Sequence, residues 1–191
     1  MTRQSYHHGD LRSAVLEEAL SQLETGTLDS LSLREVARNV GVSATAVYRH
    51  FPSKEDLLKA LALHGLSLLG EQQRRAAAKS SGDEAFAQTG RAYVRFALNH
   101  PNLFRVIFVH SPAHMRPGTQ SPEGSPARLL WNSVAEALGP RATQEQVFAV
   151  VLRAWSLVHG LAMLILDGQV ERKAAEALID QVIIPDRRMV K

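Results

Sequence analysis

The stretch from Leu31 to Leu58 reads Leu-Ser-Leu-Arg-Glu-Val-Ala-Arg-Asn-Val-Gly-Val-Ser-Ala-Thr-Ala-Val-Tyr-Arg-His-Phe-Pro-Ser-Lys-Glu-Asp-Leu-Leu, with three helix starts at short offsets. Ser32 followed by Glu35 has the form of a capping box, where hydroxyl and carboxylate each satisfy a free first-turn amide. Leu33, Val36, Ala37 and Val40 then recur at helical spacing on one face. Gly41 stands where a helix end needs a left-handed residue without a Cβ penalty. Ser43, two residues on, is the next N-cap, so the joint is a tight turn of the helix-turn-helix kind. Pro52, Ser53 and Asp56 mark a third helix start.

The second helix is predicted from about Ala44 to His50. Val47 and Phe51 should pack back on the first helix, leaving Ala44, Thr45, Tyr48 and Arg49 outward. Recognition helices place their N-terminal residues against base edges in the major groove. Ala44 and Ala46 allow close approach and contact with a thymine methyl, and Thr45 adds a hydroxyl and a methyl. Tyr48, His50 and Lys54 suit phosphate oxygens, which position a protein without reading sequence. The third helix start could hold another phosphate with its free amides. Spacing alone leaves a plain helical unit open as the alternative, with Tyr48, His50 and Phe51 as ordinary core or surface residues.

The stretch resembles the DNA-binding domain of the TetR family of bacterial repressors, whose signature runs Gly-Val-Ser-x-x-x-Val/Leu-Tyr-x-His-Phe-x-Ser-Lys. The matching positions are Gly41, Val42, Ser43, Val47, Tyr48, His50, Phe51, Ser53 and Lys54. The resemblance implies a bracing first helix, about Asp10 to Glu24, with Leu11, Val15, Ala19, Leu20 and Leu23 inward. It implies base-reading positions at Arg34, Ala44, Thr45 and Ala46, and phosphate contacts at Tyr48, His50 and Lys54. The expected DNA-binding set is therefore Arg34, Ser43, Ala44, Thr45, Ala46, Tyr48, Arg49, His50 and Lys54. Arg34 is its strong base reader, because a guanidinium can bond guanine bidentately. The small residues at the helix tip depart from members with glutamine or lysine there, which shifts weight to methyl contacts and DNA shape. The segments Ser5–Arg12, His100–Phe108 and Trp155–Gly160 resemble a TetR/AcrR subgroup whose C-terminal regulatory domain is named for its Trp, His and Gly (WHG). Together they extend the resemblance over nearly the whole chain.

At 191 residues the chain suits one or two small domains. The expected division is a DNA-binding domain at 1–56 and a regulatory and dimerisation domain at 57–191. Net charge is +3, yet residues 1–60 hold seven Lys/Arg against eight Asp/Glu, a balance of −1. Placement of Arg34, Arg49 and Lys54, not bulk basicity, carries the nucleic-acid reading. The absence of cysteine removes disulfides and thiol chemistry and fits a cytoplasmic protein. The first residues are polar where a secretory leader needs an apolar run. Val147–Leu166 is apolar enough to raise a membrane question, but Arg153, Ser156 and His159 interrupt it, so a buried core helix is expected and no membrane partner.

Further helices are predicted at 54–79, 84–99, 127–138, 144–166 and 171–183, with a short segment at 101–110. Residues 111–126, with four prolines and two glycines, form the longest loop. No strand-like alternation is visible. The fold class is all-α, an N-terminal three-helix bundle with helix-turn-helix followed by a helical ligand-binding and dimerisation domain. The 144–166 helix carries Val147, Val151, Ala154, Val158, Leu161 and Ile165 along one face and more apolar residues around it, so it needs cover on more than one side. Either a second copy or the chain's own core supplies that cover. The resemblance implies a second copy on that face, and a homodimer whose heads, about 34 Å apart, read a palindromic operator in double-stranded DNA.

The resemblance also implies a small apolar effector, with Phe104, Phe108, Trp131, Trp155, His159 and Met163 as candidate lining; each also fits plain core packing. His110 and His114 have i, i+4 numbering, but Pro112 between them argues against a metal pair, and no cofactor is expected. Ser156 and His159 share a helix face without a nearby acid, and no nucleophile elbow or phosphate loop is present, so no catalytic residue is assigned. The expected function is a repressor released by its effector. The alternatives are an effector-independent or activating regulator, and a helical protein-interaction module without DNA binding.

Overall fold

A computed structural model describes residues 8–111 and 121–185, with the backbone alone at 8–10. Residues 5–7 of the leader resemblance, and residues 112–120 of the proline-rich loop including His114, lie outside the described residues. Among the described residues there are nine α-helices and no strand. They are α1 His8–Thr25, α2 Leu33–Val40, α3 Ala44–His50, α4 Lys54–Ala77, α5 Gly82–Asn99, α6 Pro101–His110, α7 Pro126–Leu138, α8 Gln144–Leu166 and α9 Ala175–Val182. The all-α reading holds. The described chain falls into two compact units, residues 8–65 with 102–111 and residues 66–101 with 121–185.

In the first unit Leu11, Val15, Ala19 and Leu23 lie one helical turn apart along α1 and are all buried. They meet Leu33, Val36 and Ala37 of α2, Val47 of α3 and Phe51 in one core. Gly41 ends α2 at φ +80°, where a Cβ would be strained. Its N–H donates to Arg38 O, and Val42 N–H reaches back to Ala37 O. The Ser43 hydroxyl then accepts from Ala46 N–H at 3.2 Å and starts α3. Ser53 starts α4 in the same way, accepting from Asp56 N–H at 3.1 Å while donating to Asp56 Oδ2 at 2.6 Å.

The capping box expected at Ser32 does not form. Its side chain makes no cap bond, and the Glu35 carboxylate turns instead to Arg38 at 2.7 Å, one turn further along α2. A complete capping box starts α8, where Thr143 Oγ1 accepts from Gln146 N–H and Gln146 Oε1 accepts from Thr143 N–H.

α6 belongs to the first unit although α5 intervenes in sequence. Asn102 Nδ2 donates to Leu23 O at 2.8 Å and Gly26 O at 2.9 Å, carbonyls that the end of α1 leaves without helical partners. Val106 is fully buried in the core of α1 to α3. Gly65 of α4 lets α6 approach closely, since a Cβ there would come within 2.8 Å of Ile107 Cδ1. At the other end of α6, His110 Nδ1 lies 3.2 Å from Glu55 Oε1 in the first turn of α4.

In the second unit α8 packs against both α5 and α7. This corrects the expected dimer face. Val147, Val151, Ala154, Leu161 and Ile165 are buried inside the unit, and Val158 is half-buried against Gly90 of α5. The physical reason is that two neighbouring helices already cover that stripe. The side left open carries Ala149, Leu152, Ser156 and Leu164, with Leu152 44% and Leu164 48% exposed. By length and composition α8 could cross a membrane, and 28% of its apolar window is buried within the unit. The last expected helix begins as a 3-10 turn, Arg172–Ala174, before α9. Arg91 closes the packing of α5 on the C-terminal segment, donating to Ile183 O at 3.0 Å and pairing with Glu84 and Asp180.

The Asn102 contacts give a direct test of the α6 attachment. Asn102→Ala should lower the unfolding free energy by about 1–2 kcal/mol, the worth of two partly buried hydrogen bonds. An unchanged urea midpoint would show that water satisfies those α1 carbonyls equally well.

Candidate functional site

The DNA-facing residues of the sequence stand on two helices of the first unit. Burial of Val47 sets the rotation of α3, and the residues on either side of it follow from that. Thr45, Tyr48 and Arg49 are exposed, Tyr48 with 39% of its surface. Ala44 and Ala46 are half-buried and pack partly on the core, so they present less surface than expected. His50 is half-buried at the end of α3. Arg34 on α2 is exposed, while its neighbour Arg38 is held by Glu35. Two expected DNA-contact residues also carry local structure. The Ser43 hydroxyl is the cap acceptor of α3. The Lys54 ammonium donates to Leu28 O at 2.8 Å and Asp29 O at 3.3 Å, fastening the start of α4 to the turn after α1.

Further contacts fix the frame behind these side chains. Glu18 Oε1 of α1 accepts from Asn39 Nδ2 of α2 at 2.7 Å and from Gln22 Nε2 at 2.9 Å. The Arg12 guanidinium lies 5.3 Å from the centre of the Phe51 ring, joining α1 to the residue that ends α3. The Phe of the His-Phe-Pro-Ser-Lys motif is therefore a core residue.

Of the expected effector-lining residues, Phe104 and Phe108 group with the first unit, their rings edge to face at 4.8 Å. Trp131, Trp155, His159 and Met163 are half-buried in the second unit. Trp155 and His159 meet there around Tyr93 of α5, which the sequence reading left out. Trp155 Nε1–H donates to Tyr93 Oη at 3.1 Å, and Tyr93 Oη lies 2.9 Å from His159 Nδ1. An indole can only donate, so Tyr93 Oη accepts from Trp155, while its bond with His159 Nδ1 runs in the direction that the imidazole tautomer sets. Burial pushes the Tyr93 hydroxyl well above its ordinary range, the Trp155 bond opposing this slightly, and burial pushes His159 down. Both groups therefore stay neutral near pH 7.

Comparison with known proteins settles the family. Residues 15–61 match the family described as bacterial regulatory proteins, tetR family, and residues 86–183 match the one described as tetracyclin repressor-like, C-terminal domain. The chain belongs to the TetR family. It is a DNA-binding transcriptional regulator of the dimerising kind, not an enzyme. An uncharacterised HTH-type transcriptional regulator of Mycobacterium tuberculosis is 26% identical over 179 residues, covering 91% of this chain and 78% of that protein. A protein of unknown function from Rhodococcus sp. RHA1 is 33% identical with a TM-score of 0.73, covering 94% of this chain and 97% of that one. A TetR variant from Acinetobacter baumannii, solved in complex with minocycline, shares the fold at 19% identity and a TM-score of 0.65, covering 98% and 99% of the two chains.

In this TetR-family chain the Trp and His of the Trp-Ser-Leu-Val-His-Gly segment owe their spacing to one tyrosine. They lie four residues apart, one helical turn, and so share the side of α8 that Tyr93 meets. Tyr93→Phe should cost about 1–2 kcal/mol by leaving two half-buried partners unsatisfied. The pH dependence has a definite sign. The unfolded chain takes up the proton on His159 more readily than the folded one, so this contribution is full above about pH 6.5 and declines as pH falls below it. Melting curves from pH 7.5 to 5.5 should show a fall in Tm that His159→Gln flattens; identical slopes for both proteins would remove His159 from the account.

Proposed function

We propose that this chain is a cytoplasmic homodimeric repressor, of the WHG subgroup, that holds a palindromic operator and leaves it when a small apolar effector binds the second unit. The observation carrying the DNA half of this reading is α3, with Val47 buried and Thr45, Tyr48 and Arg49 exposed behind a serine-capped N-terminus. Thr45 and the methyls of Ala44 and Ala46 would meet base edges, and Arg34 would bond a guanine. Tyr48, Arg49 and His50 would hold phosphates. Lys54 keeps one further N–H for a phosphate while it fastens α4 to the turn after α1. Affinity should fall with salt as phosphate counterions are released.

The dimer reading rests on the open side of α8. Gly160 sits in the helix interior, where glycine costs about 1 kcal/mol relative to alanine. A Cβ added there meets no atom within 4 Å, and no positive φ demands glycine. The chain's own packing thus gives no reason for the missing side chain. Close approach of a second copy's α8 does, with Leu152, Ser156 and Leu164 on the same side. The effector reading rests on the aromatic and polar groups gathered around Tyr93. Its coupling to DNA would run through α4, whose residues belong to both units, with about 1–3 kcal/mol changing operator affinity 5- to 150-fold.

Selection of bound fragments from random DNA by the full-length protein tests the whole reading. An inverted repeat with half-sites one turn apart is the expected product, and no enriched sequence would leave only a helical interaction module. On the selected site, Tyr48→Ala should weaken binding about tenfold for all sequences, and Arg34→Ala should relax preference at one base pair. Uniform weakening in Arg34→Ala would assign it to a phosphate. In sedimentation runs Leu152→Glu and Gly160→Leu should each convert the dimer to a folded monomer; a dimer surviving both places the interface elsewhere.

A further inference from the structure

Gln73 of α4 is 8% exposed, the one buried amide side chain among the described residues. Its Nε2 donates to Thr89 O of α5 at 3.1 Å. Its Oε1 is buried and has no hydrogen-bond partner among the described residues. The amide cannot be turned round to cure this, because Oε1 would then face the Thr89 carbonyl, acceptor against acceptor. A buried acceptor without a donor is destabilising, and native interiors hold few of them. Leucine or methionine would fill the same space without that cost, so the oxygen needs a reason to be there.

We propose that Gln73 Oε1 is the polar anchor of the effector site, and that the effector is an uncharged, largely apolar molecule carrying one hydrogen-bond donor. The inference rests on the effector reading above and adds to it an anchor residue and a ligand chemistry. Thr89 and Tyr93 are four residues apart on α5, so the Gln73 amide and the Tyr93, Trp155 and His159 cluster meet that helix about one turn apart. In that cluster Trp155 and His159 bond to the Tyr93 hydroxyl, while Gln73 Oε1 is a buried acceptor still to be matched. No charged side chain of the described residues is fully buried, so nothing there would compensate an ionised guest. A site built this way selects by hydrogen bond, rejecting an analogue of the same shape that lacks the donor.

The test compares 4-propylphenol with its methyl ether, 4-propylanisole, on the full-length protein and on Gln73→Met, by melting temperature and by titration calorimetry. The wild type should bind the phenol about tenfold more tightly than the ether, the worth of one net hydrogen bond. Gln73→Met should melt higher than the wild type without ligand and should bind the two compounds alike. A lower melting temperature for Gln73→Met would show that the amide serves the fold, and would overturn the proposal. Equal affinity of the wild type for both compounds would also overturn it while leaving an apolar effector site in place. Binding of neither compound would count against the effector reading itself.

Discussion

Burial of Val47 and Phe51 against α1 and α2 is the contact on which the DNA-binding unit depends. A seven-residue helix such as α3 is far too short to be stable alone, so it exists only because tertiary packing holds its apolar side. The same burial fixes the rotation of α3 about its axis, and therefore which of its residues face outward. Every local device nearby serves that contact. Gly41 turns the chain sharply enough for α3 to return, Ser43 caps its first turn, and the Arg12 guanidinium covers the ring of Phe51.

α6 extends the same unit in a way that chain order conceals. Its first turn supplies Asn102 to the carbonyls at the end of α1, its middle buries Val106 in the head core, and its end brings His110 to Glu55. The start of α4 is thus held from two sides, by α6 through Glu55 and by the turn after α1 through Lys54. Any movement of α6 must be felt in the first turn of α4, because the contacts are direct hydrogen bonds and close packing at Gly65. That linkage lies wholly within the unit bearing the recognition helix.

The second unit combines an apolar interior with a small, ordered set of polar groups. Trp155 and His159 both bond to the Tyr93 hydroxyl, which joins α5 to α8. Gln73 is its counterpart with a lone pair left over. α8 carries this chemistry on one edge, its core stripe on the side facing α5 and α7, and an open apolar side with Gly160 at its centre. One helix therefore serves three surfaces, which explains why it is apolar nearly all the way round.

Much of the first unit was legible from Leu31 to Leu58 because its signals are local. Capping serines, a left-handed glycine and a 3.6-residue apolar rhythm each act over a few residues, and all but the Ser32 box formed as read. The helix boundaries of the second unit followed from the same rhythm, apart from the 3-10 turn before α9. What the sequence by itself determined was the helical class, the turn between α2 and α3, and the family signature. The tertiary structure alone decided which stripe of α8 faces inward, because a helix apolar on several sides carries no periodic signal for choosing among them. It alone brought Asn102 to α1, Tyr93 to His159 and Gln73 to Thr89, since those partners lie far apart in the chain and hydrogen bonds between helices leave no spacing to read.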